Sequence, residues 1–382
     1  MKILHLSDLH IGKKVCEMPM IGEQEAALRS ITEHLRTCPV DAVVIAGDIY
    51  DRSIPPENAV ILFGAFIESI SDLGIPVLLI SGNHDSPERL SFAAGIMKKH
   101  NIHFVTNIKD SFTPITLHDE HGPVNFYMMP YLRPSDVSNI SGESFSDYTE
   151  AVKYMTDNMK IDRSQRNIIV LHQFVEGASF TDSESCVGGT EAVSASAYDG
   201  FDYVALGHLH KPQSVHRQTI RYAGSILKYS EKEISHSKSM TVVTMEEKGS
   251  VTVETIPIVP IHDMRKVKGS IKELTRSENA TDDYIYAVVT DTNELSGISS
   301  MLRQVYPNLV SIDYEVLSSK YDRAKVMQGF SQREKTPLEV FTELFELQHG
   351  GESMSSLQLD KMKEIIENLE NEGGIADAAN KN

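Results

Sequence analysis

Val43-Val44-Ile45-Ala46-Gly47-Asp48 is an apolar, β-branched run closed by a glycine and a single carboxylate. With no polar alternation, such a run reads as a strand buried on both faces, as in a parallel sheet covered by helices. The carboxylate then sits where open α/β sheets place their ligands, beyond the carboxyl end of a strand. The same shape recurs along the chain. Ile3–Leu6 leads to Asp8-Leu9-His10, Val77–Ser81 to Gly82-Asn83-His84-Asp85, Ile168–Leu171 to His172, and Tyr203–Leu206 to Gly207-His208-Leu209-His210. Between these runs, Glu23–Arg36 and Glu57–Leu73 have helical periodicity. Ser86-Pro87-Glu88 reads as an N-cap with proline at the first helical position, opening a helix towards Lys99. Ile220–Ala223, Met240–Met245 and Val251–Ile256 read as antiparallel strands completing a second sheet. A layered α/β sandwich is expected.

Composition shifts near Pro257–Pro260. A strand at Tyr284–Thr290, a helix at Ser296–Val305 and a strand at Val310–Val316 make a small α/β domain with no chemistry of its own. Thr336-Pro337-Leu338-Glu339 is a capping box. Leu338, Phe341, Leu344 and Phe345 follow it at helical spacing. After Gly350-Gly351, Leu359, Met362, Ile365, Ile366 and Leu369 repeat the pattern. Two amphipathic helices joined by a glycine hinge leave apolar stripes that pack on the body of the protein or dock on a partner. Both readings stay open.

At 382 residues the chain has room for two or three domains, and 41% hydrophobic with 24% charged residues is an ordinary globular composition. No apolar stretch approaches the ~20 residues that span a bilayer. Met1–His5 runs straight into the first strand, so removal of a leader would destroy the Asp8/His10 motif, and a cytoplasmic protein is expected. Cys16, Cys38 and Cys186 show no paired spacing and read as reduced thiols, none a ligand or nucleophile. The net charge of −18 argues against broad electrostatic attraction to nucleic acid. Part of that excess is local, since Ser331–Asn382 carries eleven acidic residues against five basic ones.

Taken singly, each cluster has a bland counterpart. Asp8 and His10, two apart, point to one side of an extended chain, but an Asp-x-His alone is weak. A carboxylate at Asp48 can bridge two cations or cap a turn. Asn83 offers a neutral oxygen or forms a turn with His84. His172 is a ligand or a satisfied core histidine. His208 and His210 flank Leu209 and face one side of an extended turn. Asp85 orients His84 or caps a helix. Together, mixed Asp, His and Asn donors suit Mn, Fe or Zn better than Mg or Ca.

In this order the clusters resemble the motifs of the calcineurin-like metallophosphoesterase family, D-x-H, G-D, G-N-H-D/E, H and G-H-x-H. The resemblance implies a four-layer α/β/β/α sandwich over residues 1–260. A small α/β capping domain at 261–330, a helical partner-binding segment at 331–372 and a disordered tail at 373–382 would follow. It implies one cation held by Asp8, His10, Asp48 and His210 and another by Asp48, Asn83, His172 and His208, with Asp48 bridging. His84 matches the family's catalytic histidine. Ala46-Gly47-Asp48-Ile49-Tyr50-Asp51-Arg52, Gly207-His208-Leu209-His210-Lys211-Pro212-Gln213 and Tyr222-Ala223-Gly224-Ser225-Ile226-Leu227-Lys228-Tyr229-Ser230 resemble one branch, the bacterial SbcD nuclease subunits. Archaeal and eukaryotic relatives usually carry histidine where Asp51 stands.

That branch implies two Mn2+ ions, 3′→5′ exonuclease action on duplex DNA ends, and endonuclease action on single strands and hairpins. It also implies an SbcC-like SMC-family ATPase gripped by the C-terminal helices, and a homodimer through helices around Glu57–Leu73 and Pro87–Lys99. Arg89, Arg133, Lys211 and Lys228 lie near the motifs and are candidate phosphate contacts, or solvated surface charge. Tyr131 lines the cleft or packs. Hydrolysis of a nucleotide, cyclic nucleotide or phosphoprotein, and a non-catalytic DNA-end scaffold, are the rival readings.

Overall fold

The computed structural model describes residues 1–180, 191–291, 297–315, 336–348 and 353–366. The strands of its two large sheets are β1 (Lys2–Leu6), β2 (Ala42–Ala46), β3 (Val77–Ile80), β4 (Ile102–Val105), β5 (Ile115–Asp119), β6 (Gly122–Met129), β7 (Arg166–His172), β8 (Tyr203–Gly207), β9 (Gln213–Val215), β10 (Arg217–Tyr222), β11 (Ser239–Met245) and β12 (Val251–Pro257). They form two six-stranded sheets, in the orders β12-β11-β1-β2-β3-β4 and β9-β10-β8-β7-β6-β5. β1 to β4 are mutually parallel, as are β6, β7, β8 and β10.

The absence of polar alternation in these runs has a direct cause: alternate side chains of the central strands enter different cores. Val44, Ala46, Leu78 and Ile80 face Phe126, Met128, Ile168, Val170 and Ala205 between the sheets. On the outer face of the first sheet, Val43, Ile45, Val77 and Leu79 pack against two helices, α1 (Ile21–Thr37) and α2 (Glu57–Ser71). Leu28, Ile31 and Leu35 of α1 and Phe63, Phe66, Ile67 and Ile70 of α2 fall at three- and four-residue steps, and each side chain buried in this way contributes about 1.5–3 kcal/mol. Tyr127, Met129, Ile169, Leu171, Val204 and Leu206 pack outward on α3 (Pro134–Ser141) and α4 (Tyr148–Asn158). The layers are therefore α/β/β/α.

Three expectations are corrected. β11 and β12 are antiparallel, but they extend the first sheet, because β11 pairs with the open edge of β1, Ile3 opposite Val243. β10 runs parallel to β8 in the second sheet. The helix opened by Ser86 stops early: Pro87–Leu90 is one turn, and Ala93 at φ +61° breaks the path before Ala94–Met97.

The chain divides into two compact units, Met1–Lys266 with Thr281–Tyr286 and Tyr306–Ser311, and Val267–Ala280 with Ala287–Val305 and Ile312–Asn382. A three-stranded sheet has the order Met264–Gly269, Tyr284–Val289, Leu309–Tyr314. In the second unit a helix at Ile298–Val305 buries Ile298, Leu302 and Val305; Ser296 and Val316 lie outside the described residues. Thr336 and Glu339 form the expected capping box on the helix Pro337–Gln348. Ser355 and Gln358 make the same reciprocal contacts at the start of residues 356–366. Gly350-Gly351, Leu369 and Gly373–Asn382 lie outside the described residues, as does Cys186; Cys16 and Cys38 are free and exposed. No helix among the described residues is long and apolar enough to cross a membrane.

Candidate metal centre

The expected residues converge at the carboxyl ends of β1, β2, β3, β7 and β8. The ladder between β1 and β2 continues into their loops: the Asp8 amide donates to the Gly47 carbonyl at 3.1 Å and the His10 amide to the Asp48 carbonyl at 3.0 Å. Asp8, His10 and Asp48 take φ of +50°, +45° and +51°, and His208 takes +101°. These are left-handed conformations that cost a non-glycine residue free energy and cluster where function requires them. Asp8/His10 and His208/His210 thus converge through left-handed turns, not through the alternation of an extended chain.

Gly207 permits the close approach of the two sheets here. A Cβ on it would collide with the Ala46 carbonyl oxygen. That same carbonyl accepts a hydrogen bond from His172 Nδ1 at 2.8 Å, which turns Nε2 towards Asp48. Asp48 Oδ2 lies 3.3 Å from His172 Nε2 and 3.6 Å from His10 Nε2, while its Oδ1 accepts from the His84 amide at 2.9 Å. Asp8 accepts from the His208 amide at 3.0 Å. His10 Nε2 and His210 Nε2 face each other at 3.1 Å. On the other side of Asp48, Asn83 Oδ1 is 3.0 Å from His172 Nε2 and 3.2 Å from His208 Nδ1. Ligand atoms of Asp8, His10 and His210, of His10, Asp48 and His84, and of Asp8, Asp48 and His172 lie within 4.8 Å of one another in each group.

Imidazole nitrogens and carboxylate oxygens directed at one another, in a buried place, are the donor set of a transition-metal site. The two sides share Asp48. His84 is exposed, and its Nδ1 meets the Asp51 carbonyl at 2.9 Å.

The electrostatics fit a site that gathers cations. Burial pushes the Asp8 carboxyl up to about 6, with Asp48 adding to the effect. Burial opposes ionisation of Asp48 too, but His172, His10 and His84 around it hold its carboxyl well below the usual range. His172 is correspondingly raised to about 9: burial lowers it, and Asp48 and Asp8 more than offset that. Burial and the His172 charge lower His208 to about 3, and burial lowers His10 as well.

The neighbourhood corrects and extends the sequence reading. Asp85 neither orients His84 nor caps a helix. Its carboxylate accepts from the backbone amides of Ile49, Tyr50 and Gly82 at 3.1, 3.0 and 2.9 Å, joining the loops that carry Asp48 and Asn83. Tyr131 lines the centre, its ring 6.5 Å from that of His208 at an interplanar angle of 22°, with the Arg133 guanidinium 5.9 Å from the Tyr131 ring. Arg89 and Lys211 are exposed; Arg89 lines an apolar groove with Tyr50, Phe63 and Phe92. Lys228 is engaged with Asp263 at 2.7 Å.

Two groups were not legible beforehand. Buried Gln24 donates to the His10 carbonyl at 2.7 Å and accepts from the Gly12 amide at 3.0 Å, bracing the Asp8–His10 loop. Glu233 reaches His210. A lone glutamine in a helix and an acid in a charged turn carry no pattern to find them by.

A family model described as calcineurin-like phosphoesterase matches residues 1–212, and one described as type 5 capsule protein repressor C-terminal domain matches residues 260–349. The chain is 29% identical over 377 residues to the SbcD subunit of the SbcCD nuclease from Staphylococcus epidermidis, covering 96% of this chain and 98% of that protein. Among solved structures, TT1561 of Thermus thermophilus is similar at 12% identity and TM-score 0.40, over 66% of this chain and 98% of that one. A dimetal phosphatase from Danio rerio is similar at 11% identity and TM-score 0.45, over 68% and 96%. With the sandwich, the shared carboxylate and a family match over more than half its length, the chain belongs to the calcineurin-like phosphoesterase family.

Proposed function

We propose that the chain is an Mn2+-dependent DNA nuclease subunit, a 3′→5′ exonuclease on duplex ends and an endonuclease on single strands and hairpins. It would act in the cytoplasm with an SMC-like ATPase. The observation that carries the two-cation hydrolytic reading is the position of Asp48 Oδ2 between His172 Nε2 and His10 Nε2, one carboxylate facing two sets of donors. Asp8, His10, Asp48 and His210 would hold one cation, and Asp48, Asn83, His172 and His208 the other. When bound, the two cations polarise a phosphodiester and lower the pKa of the attacking water.

The chain's own residues do the rest. His84 places one nitrogen on the Asp51 carbonyl, which leaves the other ring nitrogen to share a proton with the leaving oxygen. Tyr131 offers an aromatic face beside His208, and Arg133 a charge beside it, for a nucleotide entering the cleft. Similarity to a nuclease subunit over nearly the whole chain supports a nucleic acid over a small ester.

Two surfaces support the partners. Ile54, Val60, Ile61, Phe92 and Ile96 are exposed around α2 and the turns after Ser86, an apolar face suited to a second copy of the chain. Within residues 336–366, Leu338, Phe341, Leu359 and Met362 are half-buried and Leu357 and Ile365 exposed, stripes suited to docking on the ATPase. With a net charge of −18, DNA would be gripped by the bound cations, the dimer and the partner more than by the surface of one chain.

Turnover of linear duplex DNA and of a small aryl phosphodiester, each with Mn2+ or Mg2+ and with or without the ATPase, tests the reading. Mn2+-dependent DNA cleavage is expected. Cleavage of the aryl ester alone, with DNA untouched even in the presence of the ATPase, would overturn it.

A further inference from the structure

Four imidazoles of the centre have their Nδ1 atoms fixed differently. His172 and His84 direct Nδ1 at backbone carbonyls, those of Ala46 and Asp51. His10 Nδ1 is buried without a hydrogen-bond partner, with Asp51 Oδ1 3.6 Å away. His210 Nδ1 meets a carboxylate: Glu233 Oε1, at 3.0 Å.

Glu233 is fully buried, at the end of a short turn that follows Ser230. Its Oε1 also accepts from Ser230 Oγ at 3.2 Å, and its Oε2 accepts from Lys238 Nζ at 2.6 Å. Lys238, buried as well, donates to the His210 carbonyl at 2.8 Å and to Ser225 Oγ at 2.7 Å. One ammonium group therefore holds His210 at both ends, directly through its backbone and through Glu233 at its ring.

A buried ion pair is costly to desolvate, and an apolar pair of similar volume often serves stability as well. What an apolar pair cannot do is accept the Nδ1 proton. A carboxylate there fixes the tautomer with Nε2 unprotonated, orients the ring and raises the basicity of the nitrogen facing the ligand.

We infer that Glu233 is a positioning residue for His210, that Lys238 anchors it, and that this pair sets the affinity of the cation position made by Asp8, His10, Asp48 and His210. The inference rests on the cation assignment proposed above. It separates the two positions: the one built on Asn83, His172 and His208 has no carboxylate behind its imidazoles among the contacts described, and its affinity is independent of Glu233.

Calorimetric titration of EDTA-stripped full-length protein with Mn2+ tests this, comparing wild type with Glu233→Ala/Lys238→Met, which leaves no unpaired buried charge. Two ions are expected to bind wild type. In the variant one of them should bind roughly 10- to 100-fold more weakly and the other unchanged. Two unchanged affinities in a folded variant would overturn the inference; a wild type that binds no Mn2+ would instead overturn the cation assignment.

Should the variant fail to fold, nitrogen NMR of histidine-labelled, Zn2+-loaded wild type decides. His210 is expected to keep a proton on Nδ1 and to coordinate through Nε2. Coordination through Nδ1, or an unprotonated Nδ1, would overturn the inference. Glu233→Gln/Lys238→Met supplies the conservative control: a neutral acceptor retains the tautomer, so its Mn2+ affinity should fall between those of wild type and the alanine variant. An affinity equal to that of the alanine variant would overturn the positioning role.

Discussion

His84 Nδ1 stands 2.9 Å from the carbonyl oxygen of Asp51, so a backbone atom, not a side chain, fixes the orientation of the ring nearest the solvent. The ring is held edge-on to His10, with centroids 4.8 Å apart. With Nδ1 fixed in this way, the other ring nitrogen of His84 is available to a substrate oxygen.

His84→Ala should therefore retain both metal ions by elemental analysis and lose about 10²- to 10⁴-fold in turnover of duplex DNA. Full activity would sink the role given to His84; loss of metal would make it a ligand instead.

The metal-stripped protein should lose stability with rising pH. The folded chain holds the His172 proton up to about 9, chiefly because Asp48 outweighs the effect of burial. The unfolded chain releases that proton near pH 6.5. The stabilisation is thus fully present below about pH 6.5 and is lost as pH rises through about 9. Asp8 and Asp85, raised to about 6, and His208, lowered to about 3, titrate below this window. The melting temperature in EDTA should fall between about pH 7 and pH 9, and His172→Gln should flatten the slope. A flat wild-type profile would count against the Asp48–His172 pair.

Asp85→Ala strands three backbone amides, those of Ile49, Tyr50 and Gly82. At about 1–3 kcal/mol for each unsatisfied buried group, urea denaturation should show a loss of at least about 3 kcal/mol. A loss under about 1 kcal/mol would mean that water replaces the carboxylate and that the loops are not joined through it.

Removal of residues 336–382 should abolish co-purification with the ATPase while leaving hydrolysis of a small aryl phosphodiester intact. Unchanged co-purification would move the docking site elsewhere.

Phe92→Glu, at a side chain 84% exposed on the apolar face, should shift sedimentation from dimer to monomer. An unchanged sedimentation coefficient would assign that face another role.

The positions of the central strands were legible because both their faces are buried, which leaves short, β-branched apolar runs, too short for a helix and closed by polar residues. The clusters were legible because each follows such a run or ends it. Pairing was less so: Met240–Met245 and Val251–Ile256 look alike whether they edge the first sheet or the second, and only the open side of β1 decides. The path after Ser86 was misread because Ala93 carries no mark of its left-handed turn. The side chains behind the centre were invisible for a related reason. Ser230-Glu231-Lys232-Glu233 has the composition of a solvated turn, and only packing takes Glu233 out of water while leaving Glu231 and Lys232 outside the core.

The left-handed backbone at Asp8, His10, Asp48 and His208 makes the donor atoms depend on the sheet behind them. Those bends are held by the ladder between β1 and β2 and by hydrogen bonds from the His84 and His208 amides to the Asp48 and Asp8 carboxylates. A substitution that frays the pairing of β1 with β2, however far from any donor atom, would therefore move Asp8, His10 and Asp48 together.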